Sequence, residues 1–247
     1  MGFKSISSGS RGNCALVWDD SDLLIVDFGI SYRRFRLSTE SFLQDSLSTS
    51  VFVSHEHSDH SSGLRTLKNK QSVDIYTKRR TGERLGIEFY PIERETTIGN
   101  FTVIPVAVSH DAIDPVVYVI RHGGTKISIV SDLGVATESL ANAISDSDIL
   151  AVEANHDVPM LNGGSYDPRL KRRILGEMGH LSNEQSAELL SRSTGGDSRI
   201  VLIHLSENNN HPDIALSHIS SYLDNRKVSY RTIECATQDS GSSLYSI

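Results

Sequence analysis

The chain is expected to fold as a mixed α/β (α+β) structure, two packed mixed β-sheets flanked by helices. Three observations predict this. Short runs rich in β-branched residues recur along its 247 residues, and their length suits strands rather than helices. Several of these runs are apolar at every position, as strands covered on both faces are. Early runs follow one another like hairpins, whereas later runs alternate with helical segments, a pattern that stacks sheets with helices outside. In order, the strands are expected at Ala15–Trp18, Leu23–Val26, Val51–Val53, Phe101–Val106, Val116–Ile120, Ile127–Val130, Ile149–Val152 and Ile200–Ile203. Helices are expected at roughly 61–70, 136–146, 183–193 and 212–225. Ser182 and Gln185 form a capping box that starts the third of these. No internal repeat, low-complexity segment or linker interrupts the pattern, so residues 1–247 are expected to form a single domain.

Composition narrows the classes of function. Hydrophobic content of 38% with 22% charged residues is ordinary for a globular chain. A net charge of −7 argues against nucleic-acid binding by bulk charge, though a local basic groove stays open. Cys14 and Cys235 form no C-x-x-C pair, so neither a disulfide framework nor a thiolate metal site is expected. They suit small core positions in a reducing compartment. The N-terminus has no signal-peptide core, and no apolar stretch is long enough to span a membrane. A cytoplasmic enzyme without a membrane partner is the expectation.

The chemistry is concentrated in His55-Glu56-His57-Ser58-Asp59-His60, which follows the run Val51–Val53. Side chains two apart in extended chain face the same way, so His55 and His57 can close on one cation. Asp59 and His60, displaced along the loop, can reach a second. Imidazoles beside a carboxylate suit Zn²⁺, Mn²⁺ or Fe²⁺. Other apolar runs also end on such residues. Phe101–Val106 leads to His110, Ile127–Val130 to Asp132, and Ile200–Ile203 to His204. Ligands at the ends of neighbouring strands converge on one sheet edge.

This order of H-x-H-x-D-H, His, Asp and His resembles the metallo-β-lactamase superfamily of αββα hydrolases. Leu23–Val26 ending in Asp27-Phe28-Gly29 resembles its first motif, in which the Asp supports the ligand loop from behind. Several further segments narrow the likeness. They are Ser8-Gly9-Ser10-Arg11-Gly12-Asn13, Ser109-His110-Asp111-Ala112, Glu153-Ala154-Asn155-His156-Asp157, Lys171-Arg172-Arg173-Ile174-Leu175 leading to Gly179-His180-Leu181-Ser182-Asn183, and His204-Leu205-Ser206-Glu207-Asn208. Together they resemble the YycJ/WalJ-type branch of compact bacterial nucleases, from about residue 5 onward. Tyr166-Asp167-Pro168 departs from that pattern, where Tyr and Pro would be adjacent.

The resemblance implies two divalent metal ions, one on His55, His57 and His110, the other on Asp59, His60 and His204, with Asp132 between them. It implies a bridging hydroxide that attacks phosphorus, with Asp59 also orienting it. His180 is then a phosphate contact or a proton donor to the leaving group, against a structural role at a helix start. Glu153 either orients His204 or His180 or is a plain loop carboxylate, and His156 is either structural or part of the site. His122 beside Gly123-Gly124 reads as a hairpin turn; His211 and His218 read as helix surface. The basic residues Arg169, Lys171, Arg172 and Arg173 precede His180 and suit a phosphate backbone. Lys78, Arg79 and Arg80 form a smaller cluster. Ser8, Ser10, Arg11 and Asn13 on one side, and Ser206 and Asn208 on the other, are expected to hold substrate. Few aromatics point to backbone-led, weakly sequence-specific recognition.

The resemblance therefore implies a DNA exonuclease, digesting 5′→3′ and serving DNA repair. RNA processing is less favoured. Only 22 residues separate His110 from Asp132, and no long insertion offers a tRNA-clamping arm. A small-molecule phosphodiester or thioester hydrolase is a further reading, and a non-catalytic metal- or DNA-binding regulator is another of a different class. The full ligand set weighs against the last.

Overall fold

In a computed structural model, residues 1–44 and 47–247 are described. Two seven-stranded sheets dominate. The first is built from β1 (Gly2–Ser7), β2 (Cys14–Trp18), β3 (Asp22–Val26), β4 (Ser48–Val53), β5 (Asp74–Thr77), β6 (Tyr90–Pro91) and the late strand β14 (Tyr245–Ser246). The second holds β7 (Thr96–Ile98), β8 (Phe101–Ala107), β9 (Val116–His122), β10 (Thr125–Val130), β11 (Ile149–Glu153), β12 (Arg199–Ile203) and β13 (Thr232–Cys235). The strand orders are β14-β1-β2-β3-β4-β5-β6 and β13-β12-β11-β10-β9-β8-β7. Each sheet starts as antiparallel pairs and changes to parallel ones, at β3/β4 in the first and at β10/β11 in the second. The helices are α1 (Tyr32–Thr39), α2 (Ser58–Ser61), α3 (Leu64–Lys70), α4 (Arg79–Leu85), α5 (Glu138–Ile144), α6 (Val158–Gly163), α7 (Pro168–Leu175), α8 (Asn183–Ser193) and α9 (Pro212–Asn225).

Period-two alternation decides which side chains meet. Leu24, Val26 and Phe52 of the first sheet pack against Tyr118, Ile127, Ile129, Ala151 and Val201 of the second in one shared core. The outward residues Leu150, Val152, Ile200 and Leu202 pack beneath α5, α8 and α9. Ile25, Val51 and Val53 pack beneath α1 and α3. The result is the predicted αββα sandwich. All eight strands read from the sequence are present, and α8 and α9 have the predicted bounds. The capping box of α8 forms in both directions.

Several elements were not read from the sequence, namely β1, β5, β6, β7, β13, β14, α1, α4, α6 and α7. Segments such as Gly2–Ser7 and Asp74–Thr77 mix polar and apolar residues over too short a span to show a period. Their partners across the sheet supply what propensity lacks. The expected helix 61–70 is divided between α2 and α3 at Ser62-Gly63.

The strands β3, β4, β10, β11 and β12 all end at one edge of the sandwich, and Asp27, His55, Asp132, Glu153 and His204 stand there. Tyr118 ties the two sheets at that edge: its buried hydroxyl donates to Val53 O at 2.9 Å, just before His55. Asp27 (φ 61°), Asp132 (φ 61°) and His204 (φ 55°) lie in the left-handed region, which costs about 1 kcal/mol or more for a residue with a Cβ. Strain of that kind at three such strand ends singles the edge out as the candidate site.

Candidate metal centre

Two glycines let the ligand loops approach. A Cβ on Gly29 would lie 1.7 Å from Asp59 O, and one on Gly134 would lie 2.4 Å from the backbone of Glu177. Both glycines follow a left-handed Asp in the same D-x-G pattern. Asp27 then holds the ligand loop from behind. Its carboxylate accepts from Ser54 N at 2.8 Å and Ser54 Oγ at 2.9 Å, and lies 2.7 Å from His60 Nδ1.

The predicted ligand residues converge. His55, His57 and His110 bring ligand atoms within 4.8 Å of one another, as do Asp59, His60 and His204. Asp132 stands between the groups. Its Oδ2 is 3.2 Å from His60 Nε2, and its Oδ1 is 3.8 Å from His110 Nε2. His60 Nδ1 faces Asp27, His110 Nδ1 faces Gly179 O at 3.1 Å, and His204 Nδ1 faces Glu153 Oε1 at 2.8 Å. Carbonyl and carboxylate oxygens only accept, so each Nδ1 carries a proton and Nε2 holds the lone pair that suits a cation, on His60 in exchange for its contact with Asn13 Nδ2.

The clustered charges shift one another strongly. Burial pushes the Asp132 carboxyl up, but His204, His60 and His55 outweigh it and hold the group well below its ordinary range. The same contest, against His204 and His60, holds Asp59 far down. Burial opposes charge on His60 and His204, yet the carboxylates around them, Asp132 foremost, raise both well above the ordinary value. Burial, with His60 beside it, drives His55 the other way. His110 Nε2, Asp132 Oδ2 and His204 Nε2 are buried without a hydrogen bond. Such orphans are rare, and three on nitrogen and carboxylate donors at one point fit divalent cations.

Glu153, fully buried, accepts from His180 Nδ1 and His204 Nδ1, each at 2.8 Å, and from Leu181 N at 3.0 Å. It thus links the two rings rather than standing in a loop. Burial opposes charge on His180 as well, but Glu153 and then Asp132 raise its pKa. The His180 ring lines a cavity of about 250 Å³ together with His57, Asp59, His110, Asp132 and His204.

The remaining candidates divide. Ser10, Arg173 and Ser206 line that cavity. Ser8 is buried and its hydroxyl accepts from His204 N at 2.7 Å, so it supports a ligand from within. Asn13 is also turned inward, with Nδ2 3.0 Å from His60 Nε2 and 3.4 Å from Asp59 Oδ2. Arg11 is occupied by Glu207 at 2.7 Å and Asp239 at 3.2 Å. Lys171 Nζ donates to Asn162 O and Gly164 O, and Asn208 Nδ2 donates to Tyr166 Oη at 3.0 Å. Among the described residues only Arg172 of the expected basic contacts, with Arg169 beside it, is exposed and without an ion pair. His156 is buried with neither ring nitrogen bonded. His122 ends β9 at the Gly123-Gly124 turn and reaches Asp19 at 3.1 Å; His211 caps α9, and His218 is exposed on it. Ser54, Asn155 and Tyr166 were missed. Ser54 bonds Asp27 and sits 2.9 Å from His55 Nδ1, Asn155 donates to His204 O at 3.0 Å, and Tyr166 lines the cavity. No sequence signal marks a serine or asparagine whose role comes from its neighbours in space.

Residues 25–205 match the family described as Beta-lactamase superfamily domain. The exodeoxyribonuclease WalJ of Streptococcus pneumoniae serotype 2 (strain D39) is 32% identical over 231 residues, covering 87% of this chain and 86% of that protein. The exodeoxyribonuclease YycJ of Bacillus anthracis is 32% identical over 240 residues, covering 91% and 89%. Among solved structures, the metallo-β-lactamase fold protein YhfI of Bacillus subtilis superposes with a TM-score of 0.72 at 14% identity, covering 99% of both chains, a likeness of fold. On the extent of these matches, the chain belongs to the metallo-β-lactamase superfamily, in the branch of the WalJ and YycJ proteins.

Proposed function

We propose that the protein is a metal-dependent phosphodiesterase, a DNA exonuclease digesting 5′→3′ within one hydrolase domain. Two divalent cations are its cofactors, Zn²⁺ or Mn²⁺, with Fe²⁺ also suited to the donors. The single observation that carries the dinuclear reading is Asp132, whose carboxylate lies between the two groups, 3.2 Å from His60 Nε2 and 3.8 Å from His110 Nε2. His55, His57 and His110 would hold one cation, and Asp59, His60 and His204 the other. Bound there, the pair supplies a water ionised near neutral pH and draws charge from a phosphoryl oxygen.

The chain's own residues do the rest. Asp27 and Glu153 keep His60 and His204 in the tautomer that leaves Nε2 free. Glu153 also holds the His180 ring at the cavity, where it can give a proton to the departing oxygen. Asp59, partly exposed at the cavity floor, orients the attacking water through its free oxygen. Ser10, Ser206 and Arg172 contact the backbone of the strand. DNA as substrate is supported by the relatives named exodeoxyribonucleases.

The test is metal content and hydrolysis in the same preparations. Protein stripped with chelator and reloaded with Mn²⁺ or Zn²⁺ is given DNA labelled at the 5′ or 3′ end, structured RNA and a simple phosphodiester. Release of 5′ label first as mononucleotides is expected, with both metal content and hydrolysis lost in Asp132→Ala and His204→Ala. Retention of both properties in those variants overturns the reading, and hydrolysis of the simple diester without DNA replaces it with a small-molecule activity.

A further inference from the structure

Residues 164–180 cross above the metal centre as a strap anchored at both ends. One foot rests beside the loop that follows His204. There Asn208 Nδ2 donates to Tyr166 Oη at 3.0 Å, and a Cβ on Gly164 would lie 2.8 Å from Asn209 Oδ1. Lys171 Nζ, donating to Asn162 O and Gly164 O, fixes α7 to the same foot. The other foot rests on the loops that carry His110 and Asp132. Arg173 pairs with Asp111, Asp111 N donates to Met178 O at 3.1 Å, Ser109 Oγ donates to Glu177 O at 2.8 Å, and Gly134 packs on the Glu177 backbone. Between the feet runs α7, eight residues and so about 12 Å long. Its Leu170, Arg173 and Ile174, with Tyr166, line the cavity whose floor is the ligand cluster.

We propose that this strap is an arch under which one polynucleotide strand passes end first, and that it restricts the protein to strand ends. The inference rests on the nuclease reading above. A strand with a free end reaches the cluster with both feet closed. A closed circle reaches it only if a foot lets go. The underside suits such a path: Leu170, Ile174 and the Tyr166 ring offer apolar surface to sugars and bases, while the floor takes the phosphate. The feet are unequal. The Asp111 foot has an ion pair and hydrogen bonds to the Met178 and Glu177 carbonyls, whereas the Tyr166 foot meets the loop after His204 through one neutral side-chain hydrogen bond and the packing of Gly164, so it is the one to open.

The experiment compares a linear single-stranded oligonucleotide, the same sequence ligated into a circle, and the linear form with streptavidin on a biotin at both ends. With Mn²⁺-loaded protein, the circle and the blocked strand are expected to be cut at least tenfold more slowly than the free strand. In chelator, where nothing is cut, fluorescence anisotropy is expected to find the linear strand bound at least tenfold more tightly than the circle. The double variant Tyr166→Ala/Asn208→Ala moves both ratios toward one, and Tyr166→Phe, which removes only the hydroxyl, moves them the same way by less. Arg172→Gln, on the outer face, weakens binding of both forms and leaves the ratios alone. Equal handling of circle and free strand by the wild type, or unchanged ratios in the foot variants, overturns the arch. Preferred binding of the linear strand with no hydrolysis of any DNA overturns the nuclease reading and leaves the arch.

Discussion

Replacing Glu153 by Gln removes one charge and almost no volume, and its effect can be sized from the structure. The carboxylate is fully buried and serves two rings and two backbone amides, His180 and His204 at 2.8 Å, Leu181 at 3.0 Å and Leu133 at 3.4 Å. Burial alone would raise its pKa; His180 and then His204 outweigh burial and bring it from 4.5 to about 2. At about 1.4 kcal/mol per pH unit, that fall corresponds to roughly 3 kcal/mol in favour of the anion. Glu153→Gln is therefore expected to lose roughly 3 kcal/mol of stability in chelator, in line with breaking other buried charge pairs. Because His204 loses the charge of the partner that orients it, affinity for Mn²⁺ should fall about 10–100-fold. The pKa is depressed, so the stabilisation is present above about 4.5 and is lost as pH falls toward about 2. The gap between wild type and variant should thus be full at pH 7 and shrink in acid. Urea unfolding in chelator at several pH values, with calorimetric titration of Mn²⁺, reads both effects. An unchanged unfolding midpoint together with unchanged affinity would refute the account of Glu153 as the link between the rings.

Gly29→Ala forces a methyl against Asp59 O, so it should destabilise by about 1–3 kcal/mol and lower metal content; a normal thermal midpoint with full metal content counts against the packing argument. Burial holds the His156 pKa down at about 4 against an ordinary 6.5. The unfolded chain therefore takes up this proton first, and stability falls from about pH 6.5 to about pH 4 by roughly 3 kcal/mol. His156→Leu should lack that part of the slope, and parallel unfolding profiles of the two proteins would exclude it. Arg172→Gln should weaken binding of single-stranded DNA and reduce the slope of log K against log salt by about 0.7, measured by anisotropy at several salt concentrations; an unchanged slope removes Arg172 from the interface.

What the sequence determined by itself was local or periodic. Val51–Val53, Ile127–Val130 and Ile200–Ile203 are apolar and β-branched enough to be read as strands from local sequence, which places the residues that follow them at strand ends. The crowding of His55, His57, Asp59 and His60 into six residues marked a metal site before any fold was known. Likewise, the Ser182–Gln185 capping box placed the start of α8 at Asn183. Tertiary structure alone decided which polar residues face the cavity and which face the protein. Ser8, Asn13 and Arg11 are the same kinds of residue as Ser10, yet Ser8 bonds His204, Asn13 bonds the ligand loop, and Arg11 pairs with Glu207 and Asp239. Their partners lie up to 228 positions away along the chain. It also decided that Glu153 joins His180 to His204, and that a basic segment read as a contact for a phosphate backbone is tied down through Lys171 and Arg173. The physical reason is one of range: backbone propensity and side-chain period act over a few residues, whereas hydrogen bonds and charge pairs act over a few ångströms, and only the folded chain brings distant positions within that reach.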